Sequence, residues 1–294
     1  TSDNAAHFLK YLIETQIGLP VGLTSPSVVS IYNAKLLYDN TLVIAISQSG
    51  RSPDLLKYAE AAKLASAMLI SMTNDPTSPI AKLADFHIYL QAGPELSVAA
   101  TKSYSAQLMA SYLLVSSWTG KATNTSLIVA ESKRLLNQNQ DLNLALSRMG
   151  REKELLFLGR GFAYPNAREI ALKIQETCKI VVQSYSTADY LHGPISALDS
   201  ESQVFIIAPE HAPYISIADA VAKIRKITSN IFWIGSGGEP TSNEIVLSGS
   251  KCDDEIASSI ADTVLLQRLA LEFAVKQGFD PDSPEGLSKV TLTI

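Results

Sequence analysis

The sequence predicts an α/β protein built from two tandem units, each a parallel β-sheet with helices on both faces. Two observations carry that prediction. Short β-rich apolar runs alternate with segments of helical period, the pattern of βαβ units that assemble into parallel sheets. The alternation then recurs: Asn4-Ala5 returns as Asn166-Ala167 and Glu14-Thr15 as Glu176-Thr177, each pair 162 residues apart. The same offset lays residues 42–46 on 204–208 and 68–72 on 230–234. A constant offset that also registers two strands marks an internal repeat.

Taken in order, the chain opens on Thr1-Ser2-Asp3-Asn4, an N-cap type of cluster, ahead of a helical run through Phe8, Leu9, Leu12 and Ile13. An α/β unit places a strand before such a helix, so residues upstream of Thr1 are expected. A strand over 42–46 follows, then a helix over 53–65 with Pro53 suited to its first turn, and a strand over 67–72. A short helix over 79–83, a strand over 87–90 and a long helix over 101–118 complete the first round. The second round is read as strand 155–158, helix 165–178, strand 204–208, helix 215–227 and strand 231–234, closed by one helix over about 256–277. The expected boundaries are a first unit over 1–123, a polar linking helical region over 124–150, a second unit over 151–280 and a tail over 281–294.

Composition narrows the class of function. Of 294 residues, 46% are hydrophobic and 18% charged, which is globular rather than disordered. The net charge of -5 and the lack of a Lys/Arg run argue against a nucleic-acid partner. Cys178 and Cys252 form no CxxC and have no His at ligand spacing, so neither a metal site nor a disulfide scaffold is read, and a cytoplasmic location is expected. The apolar runs are strand-sized, too short for a membrane span, and no signal peptide is seen. No cofactor is expected.

Three places carry candidate chemistry. Ser47-Gln48-Ser49-Gly50-Arg51-Ser52-Pro53-Asp54 joins a strand to a helix, with Gly for the tight turn and neutral donors around a helix start. A phosphate monoester fits it; a polar turn capped by Ser52 is the plainer alternative. The equivalent stretch of the second unit is Pro209-Glu210-His211-Ala212-Pro213, so one anion site per chain is expected, not two. On the helix over 165–178, Glu169, Lys173 and Glu176 share one face, either as a solvated stripe or as a working cluster. His192 sits in a turn, Tyr190-Leu191-His192-Gly193-Pro194, and Lys289 lies in Leu287-Ser288-Lys289-Val290 near the end. Alone, His192 reads most simply as structural or exposed, and Lys289 as a solubilising tail residue.

The loop over 47–54, Ala92-Gly93-Pro94-Glu95 with Val98-Ala99-Ala100-Thr101-Lys102, Phe157-Leu158-Gly159-Arg160-Gly161, Leu191-His192-Gly193-Pro194 and Gly286-Leu287-Ser288-Lys289-Val290-Thr291 occur in this order. Together they resemble the sugar-isomerase (SIS) family across essentially the whole chain. The resemblance is strongest to the isomerase half of glucosamine–fructose-6-phosphate aminotransferases and to the SIS-type glucosamine-6-phosphate deaminases. It implies two flavodoxin-like, three-layer SIS subdomains and an amino-sugar 6-phosphate substrate. It makes Glu176 the base that moves a proton between C2 and C1. His192 becomes the ring-opening group, reached from the other subunit of a homodimer, with Lys173 and Lys289 beside the open-chain sugar. Ser47, Gln48, Ser49 and Ser52 would hold the phosphate, with Ser2, Val98 and Ala99 near the sugar. Ala100, Gln175 and Ala188-Asp189 depart from the aminotransferase pattern, which has Ser, Lys and Gly-Glu there.

Three functions follow from the resemblance. The leading one is a deaminase, turning glucosamine 6-phosphate and water into fructose 6-phosphate and ammonia. The alternatives are the isomerase part of an aminotransferase, or another SIS deaminase or deglycase. A non-catalytic sugar-phosphate sensor is the third, and it has no need of Glu176, His192 and Lys289 together.

Overall fold

In the computed structural model, which describes residues 1–151 and 153–287, the chain divides into two compact bodies, Thr1–Lys121 with Gly286 and Leu287, and Ala122–Glu285. The first contains helices α1 (Ser2–Gln16) and α2 (Ser27–Ser30), strand β1 (Leu42–Ser47), α3 (Pro53–Leu64), β2 (Met68–Thr73), α4 (Pro79–Leu83), β3 (Phe86–Tyr89) and α5 (Lys102–Thr119). Its three strands lie in the order β1-β2-β3, all parallel. On one face, Ala45 and Leu69 pack with Ala59 of α3 and Ile80 of α4. On α1, Phe8, Leu9, Leu12 and Ile13 are all buried, which is the 3.6-residue stripe read from the sequence. The N-cap cluster works differently from the expectation. Thr1 is the cap without a side-chain cap bond, and Asp3 and Asn4 already lie inside the helix.

The second body contains α6 (Thr125–Leu135), α7 (Gln140–Arg148), β4 (Leu155–Gly159), α8 (Ala163–Cys178), β5 (Val182–Ser186), α9 (Thr187–Leu191), β6 (Gln203–Ile207), α10 (Ala218–Ile224), β7 (Ile231–Ile234), β8 (Ile245–Leu247), α11 (Glu255–Ala261) and α12 (Thr263–Lys276). Its sheet is parallel throughout, in the order β5-β4-β6-β7-β8. Alternate residues feed two cores. Phe157, Phe205 and Phe232 pack with α8 and α12, while Leu158, Val204, Ile206 and Trp233 pack with α10. Helices therefore cover both faces.

Several elements depart from the sequence reading. The single closing helix is two, α11 and α12, which meet at Asp262; that residue is fully buried and its Oδ1 accepts the Ser250 N–H at 2.6 Å. The helix expected over 215–227 shortens to α10, preceded by a 3₁₀ turn at Tyr214–Ser216. The strands β5 and β8 and the short helices α2 and α9 are not among the elements read from the sequence; each is too brief to show a period.

Candidate active site

The loop after β1 is built from hydroxyls that accept backbone protons. Gly50 N–H donates to Ser47 Oγ at 3.0 Å, and Arg51 N–H donates to Ser49 Oγ at 3.3 Å. Each hydroxyl therefore keeps its own proton to donate to an anion. Ser52 stands at the N-cap of α3 with an extended backbone, but its side chain makes no capping bond. The capped-turn alternative thus lacks its defining contact. Gly50 has φ +63, and a Cβ there would meet Ser78 Oγ at 2.3 Å, so both conformation and space select glycine. Arg51 is turned to Asp75 at 2.7 Å. The Thr77 hydroxyl, with Arg51 next, holds the Asp75 carboxyl down to about 2. The guanidinium has its own counter-charge, which leaves the cradle to neutral donors.

The loops after β2 and β3 close in at the same strand ends. Asn74 N–H donates to Gln48 O at 3.0 Å, and the Asn74 amide donates to Gly93 O at 2.7 Å while accepting from Ala92 N–H at 2.9 Å. Glu95 accepts the Ser103 N–H at 2.8 Å, anchoring the stretch that carries half-buried Val98 and buried Ala99 to the start of α5. Ser2 receives a hydrogen bond from Gln107 Nε2 at 2.9 Å. Carboxyl ends of parallel strands are where open α/β sheets bind ligands. The sequence had flagged Ser2, Ser47, Gln48, Ser49, Ser52, Val98 and Ala99. It missed Asn74, Asp75 and Gln107, although Asp75-Pro76-Thr77-Ser78 follows a strand just as the Ser/Gln loop does.

In the second body the charges of α8 are not a solvated stripe. Lys173 is 3% exposed and Glu169 5%, with Nζ and Oε1 3.7 Å apart. Lys173 also donates to Glu176 Oε2, and Glu176 is 24% exposed. A buried ammonium next to a carboxylate that still reaches solvent is a cluster with one open side. Glu176 lies in the last turn of α8, where the helix end is negative, and the Lys173 charge offsets that. Gln175 is engaged structurally, its amide donating to Val182 O at 2.6 Å.

His192 caps the C-terminal end of α9 and is exposed, and among the described residues no hydrogen bond or ion pair joins it to Glu176. Lys289 lies outside the described residues. Pro209–Pro213 holds no comparable cradle: His211 Nε2 lies 3.0 Å from Cys252 O. Both cysteines are free and buried, and among the described residues no His/Cys/Asp/Glu group is placed to hold a metal. No described helix is long and apolar enough to cross a membrane.

The SIS domain model matches residues 1–117 and 149–244, the spans that hold the Ser/Gln loop and the α8 cluster. The chain belongs to the SIS-domain family. Among the relatives of this SIS chain is the glutamine–fructose-6-phosphate aminotransferase (isomerizing) of Methanothermobacter thermautotrophicus, 31% identical over 98% of this chain and 50% of that protein. The SIS chain spans about half the length of the curated relatives it matches. A solved protein of Silicibacter pomeroyi DSS-3, assigned as a phosphosugar isomerase, is 31% identical with TM-score 0.83, covering 96% of this chain and 85% of that one. The glucosamine-6-phosphate deaminase of Thermotoga maritima shares the fold at 21% identity, with TM-score 0.80 over 99% of this chain and 88% of that one.

Proposed function

We propose that this chain moves a proton between C2 and C1 of an amino-sugar 6-phosphate, with Glu176 as the base. The observation that carries the reading is the α8 cluster, in which a buried Lys173 fixes a Glu176 carboxylate that still faces outward. One carboxylate can take the C2 proton of the open-chain sugar and return it to C1 through an enolamine, with no change in oxidation state overall. Ser47, Gln48, Ser49 and Ser52 hold the 6-phosphate, and Ser2, Val98 and Ala99 line the sugar. His192 opens the ring from the other subunit of a homodimer, with Lys289 beside the chain-form sugar. Mixing Glu176→Gln with His192→Asn subunits should then restore part of the activity; formed hybrids that stay inactive would remove the shared site.

Two directions use this core. The curated relatives favour the synthetic one, in which fructose 6-phosphate and ammonia give glucosamine 6-phosphate and water, as in the isomerase part of an aminotransferase. The deaminating one, glucosamine 6-phosphate and water to fructose 6-phosphate and ammonia, is favoured by the departures at Ala100, Gln175 and Ala188-Asp189. Ammonia release from glucosamine 6-phosphate, assayed with and without glutamine, decides between them. Release that ignores glutamine supports deamination. Glucosamine 6-phosphate formed from fructose 6-phosphate and ammonium, without appreciable release, supports the synthetic direction. Neither reaction, despite binding of the sugar phosphate, would overturn the catalytic reading.

A further inference from the structure

Asn74 directly follows β2, the middle strand of the first sheet, so the loops after β1 and β3 lie on either side of it. It bonds to both. Its backbone N–H donates to Gln48 O at 3.0 Å. Its carboxamide takes two adjoining residues of the other loop at once, accepting from Ala92 N–H at 2.9 Å and donating to Gly93 O at 2.7 Å. An Asn side chain can do this because it carries an acceptor and a donor in one plane; an ionised carboxylate has no proton for the carbonyl.

The backbone held in this way is not one the loop adopts by preference. Gln91 has φ +52 and Gly93 φ +68, so left-handed residues stand on both sides of Ala92. A non-glycine residue in that region is uncommon and persists where its surroundings fix it. The next anchor is Glu95, which accepts the Ser103 N–H at 2.8 Å in the first turn of α5. Residues 96–101, with Val98 and Ala99 among them, run between these anchors outside any helix or strand.

We propose that Asn74 is a positioning residue, its side chain fixing the stretch that carries Val98 and Ala99 relative to the Ser/Gln loop. A ligand held through its phosphate at the loop then meets that stretch with its sugar. This role rests on the functional reading of the two stretches. The two kinds of bond separate the two halves of the ligand. The bond to Gln48 O comes from the backbone and survives a side-chain substitution, so the phosphate cradle keeps its support. The bonds to Ala92 and Gly93 come from the side chain and are lost with it.

The test compares inorganic phosphate with glucosamine 6-phosphate, titrated by calorimetry into the Glu176→Gln protein, where slow turnover leaves binding measurable. Adding Asn74→Ala should weaken glucosamine 6-phosphate at least about tenfold, because the sugar side of the site is displaced. Inorganic phosphate should stay within about twofold, as for a site that does not share the lost bonds. Adding Ser52→Ala instead should weaken both ligands. Exchange of the Ala92 amide should quicken in Asn74→Ala and stay slow in Asn74→Asp, which keeps the acceptor but loses the donor to Gly93 O. Asn74→Asp should weaken the sugar phosphate in the same direction, which guards against a misfolded alanine variant. Asp85→Ala controls for lost stability: it removes an acceptor of the Leu69 N–H, 2.8 Å away at the opposite end of β2, and should lower Tm while leaving both affinities unchanged. Unchanged affinity for the sugar phosphate in Asn74→Ala, or an equal loss for both ligands, overturns the positioning role alone. Wild-type protein that binds inorganic phosphate but no glucosamine 6-phosphate overturns the functional reading, and this role with it.

Discussion

β4, β6 and β7 bury every residue, whereas β1 is exposed at Leu42 and buried only from Ala45 to Ser47, and β3 is exposed at both ends. The second sheet stacks Phe157, Phe205 and Phe232 with ring centroids 4.5 and 4.4 Å apart. The fully buried cluster on the α3 and α4 face of the first is Ala45, Ala59, Leu69 and Ile80. The difference matches what each body holds. Burying Lys173 and Glu169 costs desolvation that fixed geometry and paired charge offset, and that cluster sits in the body whose strands β4, β6 and β7 are buried at every residue. The Ser/Gln loop presents neutral hydroxyls from a strand end and needs no such core.

The contrast can be tested at three levels. Glu176→Gln keeps size and removes the proposed base, so turnover should fall by about 10²–10⁴-fold. Affinity for a 6-phosphate ligand should survive, because the donors proposed for it, Ser47, Gln48, Ser49 and Ser52, belong to the other body. Exchange of the C2 hydrogen with deuterated solvent, followed by NMR, should fall in parallel. Near-normal exchange would return Glu176 to a structural role. Ser52→Ala should do the opposite, raising KM by roughly 10- to 100-fold through loss of one hydrogen bond to a charged group, with kcat little changed. Steady-state kinetics read the split, and an anion bound at Pro209–Pro213 instead would defeat the assignment.

The smallest effect belongs to Asp262, whose carboxyl is pushed up to about 7 by burial. Between about pH 4 and pH 7 the folded chain holds a proton that the unfolded chain has lost, so stability falls as pH rises through that window. Tm should drop by several degrees from pH 5 to pH 8, and Asp262→Asn should flatten that part of the profile. An unchanged slope in the variant would show that other groups set it.

Much of this was legible before any coordinates. Pro53, Gly50 and the hydroxyls around them specify a strand-to-helix turn because φ limits and hydrogen-bonding capacity are local properties. The two rounds of strand and helix were legible because burial imposes periods of 2 and 3.6 on the residues that meet the core. Breaks such as the one at Asp262 were not, because a buried carboxylate accepting a distant N–H leaves no period in the sequence.

What the sequence determined by itself, then, was the order of elements, the single Ser/Gln loop and the shared face of Glu169, Lys173 and Glu176. The tertiary structure decided what that face is. Three charges at helical spacing are equally compatible with solvent and with a cluster, and only packing against the rest of the second body reduced Lys173 to 3% exposure while leaving Glu176 open. It likewise decided that Asn74 and Gln107 belong with the loop residues, since hydrogen bonds to Gly93 and Ser2 join positions far apart along the chain. Local chemistry is written in neighbouring residues; burial and long-range pairing exist only once the chain has folded.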